Sequence, residues 1–383
     1  MTRADLPGAQ AGVYVHFPFC AARCAYCDFA ALAGEDDRIE AYLAALEREV
    51  ARFQPAAPRT ADTVYLGGGT PSRMSGAEVR RVLGAVKDRF ELAEDAEVTL
   101  EGNPESLVAD RLETYRDAGV NRVVVGIQSL DDRVLAGVGR IHDARTAVEA
   151  VERSRAAGFR SVGIDLIAGL PGEDLRSWGR TVRAAAALLP DHVSMYLLET
   201  DKDTPLSRSL RAGSTQVADD DALARAYEEG ADALEAAGLP AYEISNFARA
   251  GHESRHNLKY WTDAPYAGFG LGAHGYVAGE RRANVRDLGA YLERLDAGRD
   301  PVEALEAYDT GRRAAEALIM GLRLVEGIDL GAVSARYGID LDARHREAWE
   351  RAEAAGLLER DGHRARLTLW GRLRCNELFA ELI

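Results

Sequence analysis

From Val13 to Leu198 the chain alternates short apolar runs with amphipathic stretches, and this alternation limits the folds open to it. The apolar runs cover 13–16, 63–66, 97–101, 122–127, 161–167 and 192–198, each with the β-branched content of a strand. The intervening stretches at about 35–53, 76–90, 106–118, 143–157 and 174–188 carry apolar residues at helical spacing. The first, with Ile39, Leu43, Leu46 and Val50, is expected to stop near Pro55 and Pro58. A helix at 219–237, bearing Leu223, Tyr227 and Leu234, closes the series. Strand and helix in strict turn build a parallel sheet with right-handed crossovers, so the expected class is α/β and the expected form is a partial (β/α)6 barrel.

The residues that end these strands are polar. Gly67, Gly68, Gly69 and Thr70 follow the second, Glu101 and Asn103 the third, Gln128 and Ser129 the fourth, Asp165 the fifth, Glu199 and Thr200 the sixth. In a parallel barrel the carboxy-terminal strand ends share one face, so these groups would ring a single site. Simple helix capping is the plainer account of any one of them. It explains Glu101 and Gln128 less well, because they extend apolar strands.

The first strand runs directly into YVHFPFCAARCAYCDF, which sets Cys20, Cys24 and Cys27 within eight positions of a chain holding four cysteines. Thiolates three or four residues apart converge on a metal or a cluster more readily than they form disulfides. A structural zinc site wants four ligands, and Cys375 lies at the far end of the chain. His16 could complete such a set, but Val13 and Val15 alternate with Tyr14 and His16, so the sheet is expected to orient the imidazole. A [4Fe-4S] cube held by three thiolates keeps one iron open. A zinc site or a redox scaffold remains the competing account.

The spacing Cys-x3-Cys-x2-Cys with Tyr26 before the last cysteine resembles the signature of radical S-adenosylmethionine (SAM) proteins. That resemblance implies a TIM-like partial barrel, a [4Fe-4S] cluster on Cys20, Cys24 and Cys27, and SAM chelated by the open iron and cleaved to a 5'-deoxyadenosyl radical. YVHFPFC, GGGTPS, EGNPE, GIQS and GIDLIAGLPG are similar to the motifs of its anaerobic coproporphyrinogen III oxidase branch. By that similarity Tyr14, Phe29, Gly68, Gly69, Thr70, Glu101, Gln128, Arg140 and Asp165 are the SAM contacts, the glycines meeting the methionyl amine. No Lys-Ser/Thr pair follows the glycines, so a nucleotide P-loop is unsupported. An electron donor such as flavodoxin or ferredoxin is implied.

The pattern changes after 240. Residues 1–240 are expected as the radical SAM core, 241–300 as a connecting segment rich in aromatics, glycine and histidine, and 301–383 as a small α+β domain. In the last, helices at about 310–324, 330–337 and 343–355 precede a hairpin at 357–369 turning at Asp361 and Gly362, a winged-helix-like order. Its Arg344, Arg346, Arg351 and Arg360 are interleaved with Glu347, Glu350, Glu353 and Asp361. With a net charge of −15 for the whole chain, this reads as a solvated or docking face, and no nucleic-acid partner is expected. Cys375, among Leu373, Leu378 and Phe379, is expected in a small core.

These motifs, with LTLWGRLRCNELFAEL near the carboxy terminus, resemble both the oxygen-independent coproporphyrinogen oxidases and the heme chaperones of the HemW branch. The oxidase pattern has a fourth cysteine two residues after the third and a longer leading segment. Here Phe29 stands in that place and nineteen residues precede Cys20. His256, Asn257, Tyr260 and Trp261 spell HNxxYW, similar to the heme-associated motif of the chaperones. The resemblance implies heme on His256, with Tyr260 and Trp261 against the macrocycle; His252 and His274 are second choices. The expected function is heme delivery to an acceptor protein, with no residue assigned to porphyrin turnover; oxidative decarboxylation of coproporphyrinogen III is the alternative. No apolar run is long enough to cross a bilayer, and MTRADLPGAQ lacks a hydrophobic signal core, so the cytoplasm is the expected compartment.

Overall fold

The computed structural model describes residues 10–54 and 59–383. Pro55, Pro58 and the first nine residues, which begin the expected core domain, lie outside that range; the helix expected to stop near those prolines ends at Arg52. The six expected strands are present as β1 (Ala11–Phe17), β2 (Thr60–Gly68), β3 (Glu91–Gly102), β4 (Arg122–Gln128), β5 (Ser161–Ala168) and β6 (His192–Leu197). They lie side by side in chain order, each parallel to the next. Sequential order with right-handed crossovers throws every connecting helix onto one side of the sheet, so the sheet curls around its opposite side. Neighbouring helices, such as Ile39–Arg52 and Gly76–Arg89, pack on each other along that outer layer.

The curl does not close. β7 (Asn246–Ala248) adds antiparallel to β6 at one end. At the other end β8 (Tyr266–Phe269) adds parallel to β1, followed by β9 (His274–Val277), β10 (Glu280–Asn284) and β11 (Val302–Ala307), all antiparallel. Strands contributed by 241–300 and by Val302–Ala307 thus belong to the eleven-stranded main sheet. The sequence shows no such membership because these strands are only three to six residues long.

A second hydrophobic core gathers Leu318, Leu322, Trp349, Leu358, Cys375 and Phe379 from the last seventy residues or so. Its helices Thr310–Leu322, Leu330–Tyr337 and Arg346–Ala354 surround a three-stranded sheet of β12 (Ile328–Asp329), β13 (Leu358–Asp361) and β14 (Arg364–Leu367). The expected helix-and-hairpin order is there, and Cys375 is buried in it as a small apolar side chain.

Helix starts show where capping applies. Ser75 and Asp174 form capping boxes, and Asp131 and Asp143 accept from the first turns of their helices. None of these belongs to the strand-terminal group. Glu101, Gln128 and Asp165 cap no described helix and face the concave side of the sheet instead, in one cavity.

Candidate functional site

The cysteine loop is pinned at its base and its tip. Phe19–Cys20 pairs with Leu32–Ala33, and the Leu32 N–H donates to the Pro18 carbonyl at 2.7 Å. At the tip, Ala25 donates to the Val138 carbonyl (3.0 Å) and its own carbonyl accepts from Leu206 (2.8 Å). A hydrogen-bonded run then crosses the strand ends. Arg140 donates to Asn103 Oδ1 (2.8 Å) and to the Gly126 carbonyl (2.6 Å), Asn103 donates to Thr70 (3.2 Å), and Thr70 donates to the Cys20 thiol (3.3 Å). The other guanidinium nitrogen of Arg140 reaches Cys24 Sγ at 3.6 Å. Burial pushes the Cys20 thiol pKa up and that of Cys27 to about 11. These thiols stay protonated until a metal displaces the proton.

All three cysteines line one cavity of about 420 Å³ at the carboxy-terminal strand ends. Its lining includes two partly buried carboxyls. Glu101 accepts from Tyr65 (2.6 Å) and from the Gly68 N–H (3.2 Å). Burial and the nearby Asp165 push its pKa up to about 7, and burial raises that of Asp165 to about 6. Two carboxyls so placed favour a cation as their occupant. Gln128 sits in the left-handed region at φ 64, a conformation that costs a non-glycine residue about 1–3 kcal/mol and is typical of binding sites.

The glycine run does more than leave room for a ligand. A Cβ on Gly69 would stand 2.5 Å from the Pro18 carbonyl oxygen, and one on Gly68 (φ +112) would stand 2.6 Å from the His16 ring. The N–H of Gly69 is taken by the Phe17 carbonyl (2.8 Å) and that of Gly68 by Glu101, so neither N–H is left to donate to a ligand. His16 itself is held by Tyr14 (3.0 Å) and the Ala30 carbonyl (2.9 Å), the orientation by the sheet that the alternation implies.

Eight of the nine expected cofactor contacts line this cavity: Phe29, Gly68, Gly69, Thr70, Glu101, Gln128, Arg140 and Asp165. Tyr14 does not. It lines a second cavity of about 440 Å³, which shares Asp28 and Phe29 with the first. Asn103 and Tyr196 also line the first cavity. Asn103 lies inside EGNPE, and Tyr196 breaks the apolar run of its strand, so both had a signal in the sequence.

The HNxxYW motif forms the short helix Arg255–Trp261. Ser254 caps it, and the Glu97 carboxylate on β3 accepts from the Arg255 and His256 N–H groups at 3.1 Å each. Lys259 pairs with Asp62 at 2.6 Å. These attachments press the helix against the sheet, and Gly12 leaves room for the imidazole: a Cβ there would lie 3.1 Å from its Cε1. His256, expected to bind heme iron, therefore points inward and is fully buried. Nδ1 meets Thr63 Oγ1 at 2.8 Å and Nε2 meets the Tyr260 hydroxyl at 2.9 Å, so neither nitrogen is open to a metal in this conformation. Burial, aided by Lys259, lowers its pKa to about 3. Tyr260 and Trp261 lie one turn on and line the second cavity, as does His274.

The donor set fits the groups implied for the first cavity. Three thiols stand around a space rather than at a point; among the described residues no three Cys, His, Asp or Glu side chains are grouped to hold a single metal ion. That spread suits a cluster with several corners. The paired buried carboxyls suit a cationic metabolite, and Arg140 Nε is buried without a hydrogen-bond partner among the described residues.

Comparison with known proteins bears on the same residues. The family model described as the radical SAM superfamily matches residues 14–185, and the one described as the HemN C-terminal domain matches 312–374. The chain is 42% identical to the heme chaperone HemW of Mycobacterium tuberculosis, over 99% of this chain and 96% of that one. It is 32% identical to the heme chaperone HemW of Bacillus subtilis, over 97% and 98%. Among solved structures it resembles the coproporphyrinogen III oxidase HemN of Escherichia coli, a radical SAM enzyme, with a TM-score of 0.85, 23% identity, and coverage of 99% and 91%. At that identity the likeness establishes the shared fold of an incomplete barrel with a small terminal domain.

Proposed function

The chain belongs to the heme chaperone HemW family of radical SAM proteins, and from that membership we propose that it binds a [4Fe-4S] cluster, SAM and heme, and delivers the heme to an acceptor protein. The observation that carries the proposal is the pairing of cavities: a space ringed by three thiols adjoins an aromatic space through the shared residues Asp28 and Phe29. When bound, the cluster supplies an open coordination position and a low-potential electron. Cys20, Cys24 and Cys27 hold it. Arg140 and Thr70 hydrogen-bond to the Cys24 and Cys20 sulfurs, and donors to thiolate sulfur tune its charge.

The glycine turn accepts from the ammonium of SAM. Glu101 and Asp165, protonated in part at neutral pH without it, release their protons to solvent when a cation in the pocket stabilises the carboxylates. Gln128 lines the first cavity, and Phe29, 59% exposed, lines both spaces. Heme takes the second cavity against Tyr260 and Trp261, while His256 acts through Tyr260 as its hydrogen-bond partner. The thiols require a reducing compartment, which supports a cytoplasmic role with a flavodoxin or ferredoxin as electron donor. Among the described residues no helix is long and apolar enough to cross a membrane.

Heme transfer to an apo-acceptor decides the proposal. The reconstituted protein should bind heme and release it to the acceptor, whereas Cys20→Ala should bind heme and fail to transfer it. Unchanged transfer by Cys20→Ala would remove the cluster from the function. Formation of protoporphyrinogen IX from coproporphyrinogen III, with SAM and reductant under anaerobic conditions, would make the protein an oxidase instead.

A further inference from the structure

At the opposite end of the strands from the thiols, the curled sheet carries a second polar layer. The inward-facing rows of β3, β4, β5 and β6 that reach the first cavity at Glu101, Gln128, Asp165 and Tyr196 begin, by the alternation of a strand, at Glu97, Arg122, Ser161 and His192. All four are buried. Residues 249–255 close this floor: Arg249 donates to the Asp191 carbonyl (3.0 Å), and the Glu97 carboxylate holds the Arg255 N–H (3.1 Å).

Arg122 brings a full positive charge to the floor and is only 3% exposed. One terminal nitrogen donates to Ser161 Oγ (3.1 Å) and to the His252 carbonyl (2.9 Å). Nε and the other terminal nitrogen are buried and have no hydrogen-bond partner among the described residues. The carboxylates of the floor are engaged elsewhere. Glu97 accepts from the Arg255 and His256 N–H groups, and Glu253 from the Gly251 N–H at 3.0 Å. Burial, with the charges of Arg122 and His252, lowers the His192 pKa well below its usual value, so that ring is neutral. A buried guanidinium without an opposite charge is costly to any fold, and water satisfies its donors without cancelling its charge.

A cavity of about 30 Å³ lies against these groups. Arg122, Arg160 and His252 line it, and neither Arg160 nor the His252 ring has a hydrogen bond or ion pair among the described residues. Arg255 lines it too, but is paired with Asp62 and Asp95. The Ser161 hydroxyl, accepting from Arg122, keeps its own hydrogen to donate. The volume is near the share of one water in the liquid, so it suits a single small ion and excludes a phosphorylated or carboxylated metabolite.

We propose that the floor of the barrel binds one monovalent anion of the size of chloride, held by the Arg122 guanidinium and the Ser161 hydroxyl with Arg160 and His252 completing a positive wall. The ion neutralises Arg122 and ties β4 and β5 to residues 249–255, which lead into the Arg255–Trp261 helix. Neither the cluster nor the heme enters this site.

Thermal unfolding of the full chain at fixed ionic strength tests it, with sodium gluconate exchanged stepwise for sodium chloride or bromide. The wild-type midpoint should rise by about 2 °C for each tenfold increase in halide and stay level in gluconate. Arg122→Met should show no halide response, and Ser161→Ala should need severalfold more halide for the same rise. Crystals grown in bromide should give an anomalous peak within hydrogen-bonding reach of Arg122. A wild-type midpoint that is the same in halide and gluconate overturns the proposal and leaves the floor to water. A halide response undiminished in Arg122→Met overturns it by placing the ion elsewhere. Should Arg122→Met fail to fold, the bromide peak decides, and its absence from the floor overturns the proposal.

Discussion

The cysteine loop and the HNxxYW helix are both short motifs that advertise iron chemistry, yet the fold treats them differently. Around the loop, the base and the tip are tied by backbone hydrogen bonds, Ala25 to Val138 and Leu206 and Leu32 to Pro18, and the thiols themselves meet only single donors from Thr70 and Arg140. The thiols are left facing a cavity. Around the helix, the attachments use the side chain that the motif singles out. His256 is bound at both ring nitrogens and at its N–H, and it is Lys259, Tyr260 and Trp261 that reach the open space. A motif fixes which residues stand close in sequence; whether a side chain is free for a ligand depends on what else satisfies its polar atoms.

The largest test of that contrast is Cys24→Ser. Anaerobic reconstitution should leave it without the four-iron absorbance, with the fold retained, since the thiol carries no packing role comparable to that of a core residue. Wild-type iron content in this variant would break the comparison at its first half.

His256→Ala tests the second half. Removing a buried ring with two hydrogen bonds leaves Thr63 and Tyr260 unpaired, and unfolding should become easier by about 2–4 kcal/mol in a denaturant titration. A ligand-only histidine would be replaced at no such cost, so unchanged stability would return His256 to the heme site.

Gly69→Ala comes next, at roughly 1–3 kcal/mol, because its Cβ would press on the Pro18 carbonyl that also accepts from Leu32 at the base of the cysteine loop. Iron retention should drop along with stability, tying the glycine turn to the loop. Stability loss without iron loss would show that the two move separately.

The smallest effect is a slope with pH. Glu101 and Asp165 hold their protons more tightly folded than unfolded, so the stability they confer is full below about 4 and is lost as pH rises through about 6 to 7. The thermal midpoint of the cluster-free protein should fall across that window, roughly 2–4 °C for each kcal/mol lost. SAM bound to the reconstituted protein should flatten the slope, because its positive charge stabilises both carboxylates. An identical slope with and without SAM would remove these carboxyls from the cofactor site.

Much of this was legible in the chain. Six β/α units announce themselves because each strand and helix is long enough to show its period. Glu101 and Gln128 stand out because each is a polar group at the end of a buried run, and Asp165 because it interrupts one. Short strands do not announce themselves. Asn246–Ala248 and Tyr266–Phe269 hold three and four residues, too few for a period, and they add at the two ends of the six-strand run. The place of Tyr14 was likewise hidden: it lies on the first strand but lines the neighbouring cavity, a matter of which way a strand's alternation faces once the sheet has curled.

Sequence by itself determined the chemistry available: three thiols at cluster spacing, a glycine turn, two acids at strand ends, and an aromatic pair beside a histidine. Only the tertiary structure decided which of these groups remain open. His256 found Thr63 across 193 positions of chain for its ring and Glu97 across 159 for its backbone N–H, and burial makes unsatisfied nitrogen costly, so Thr63 and Tyr260 claimed the ring. His274, with no such partner among the described residues, stayed at the cavity wall.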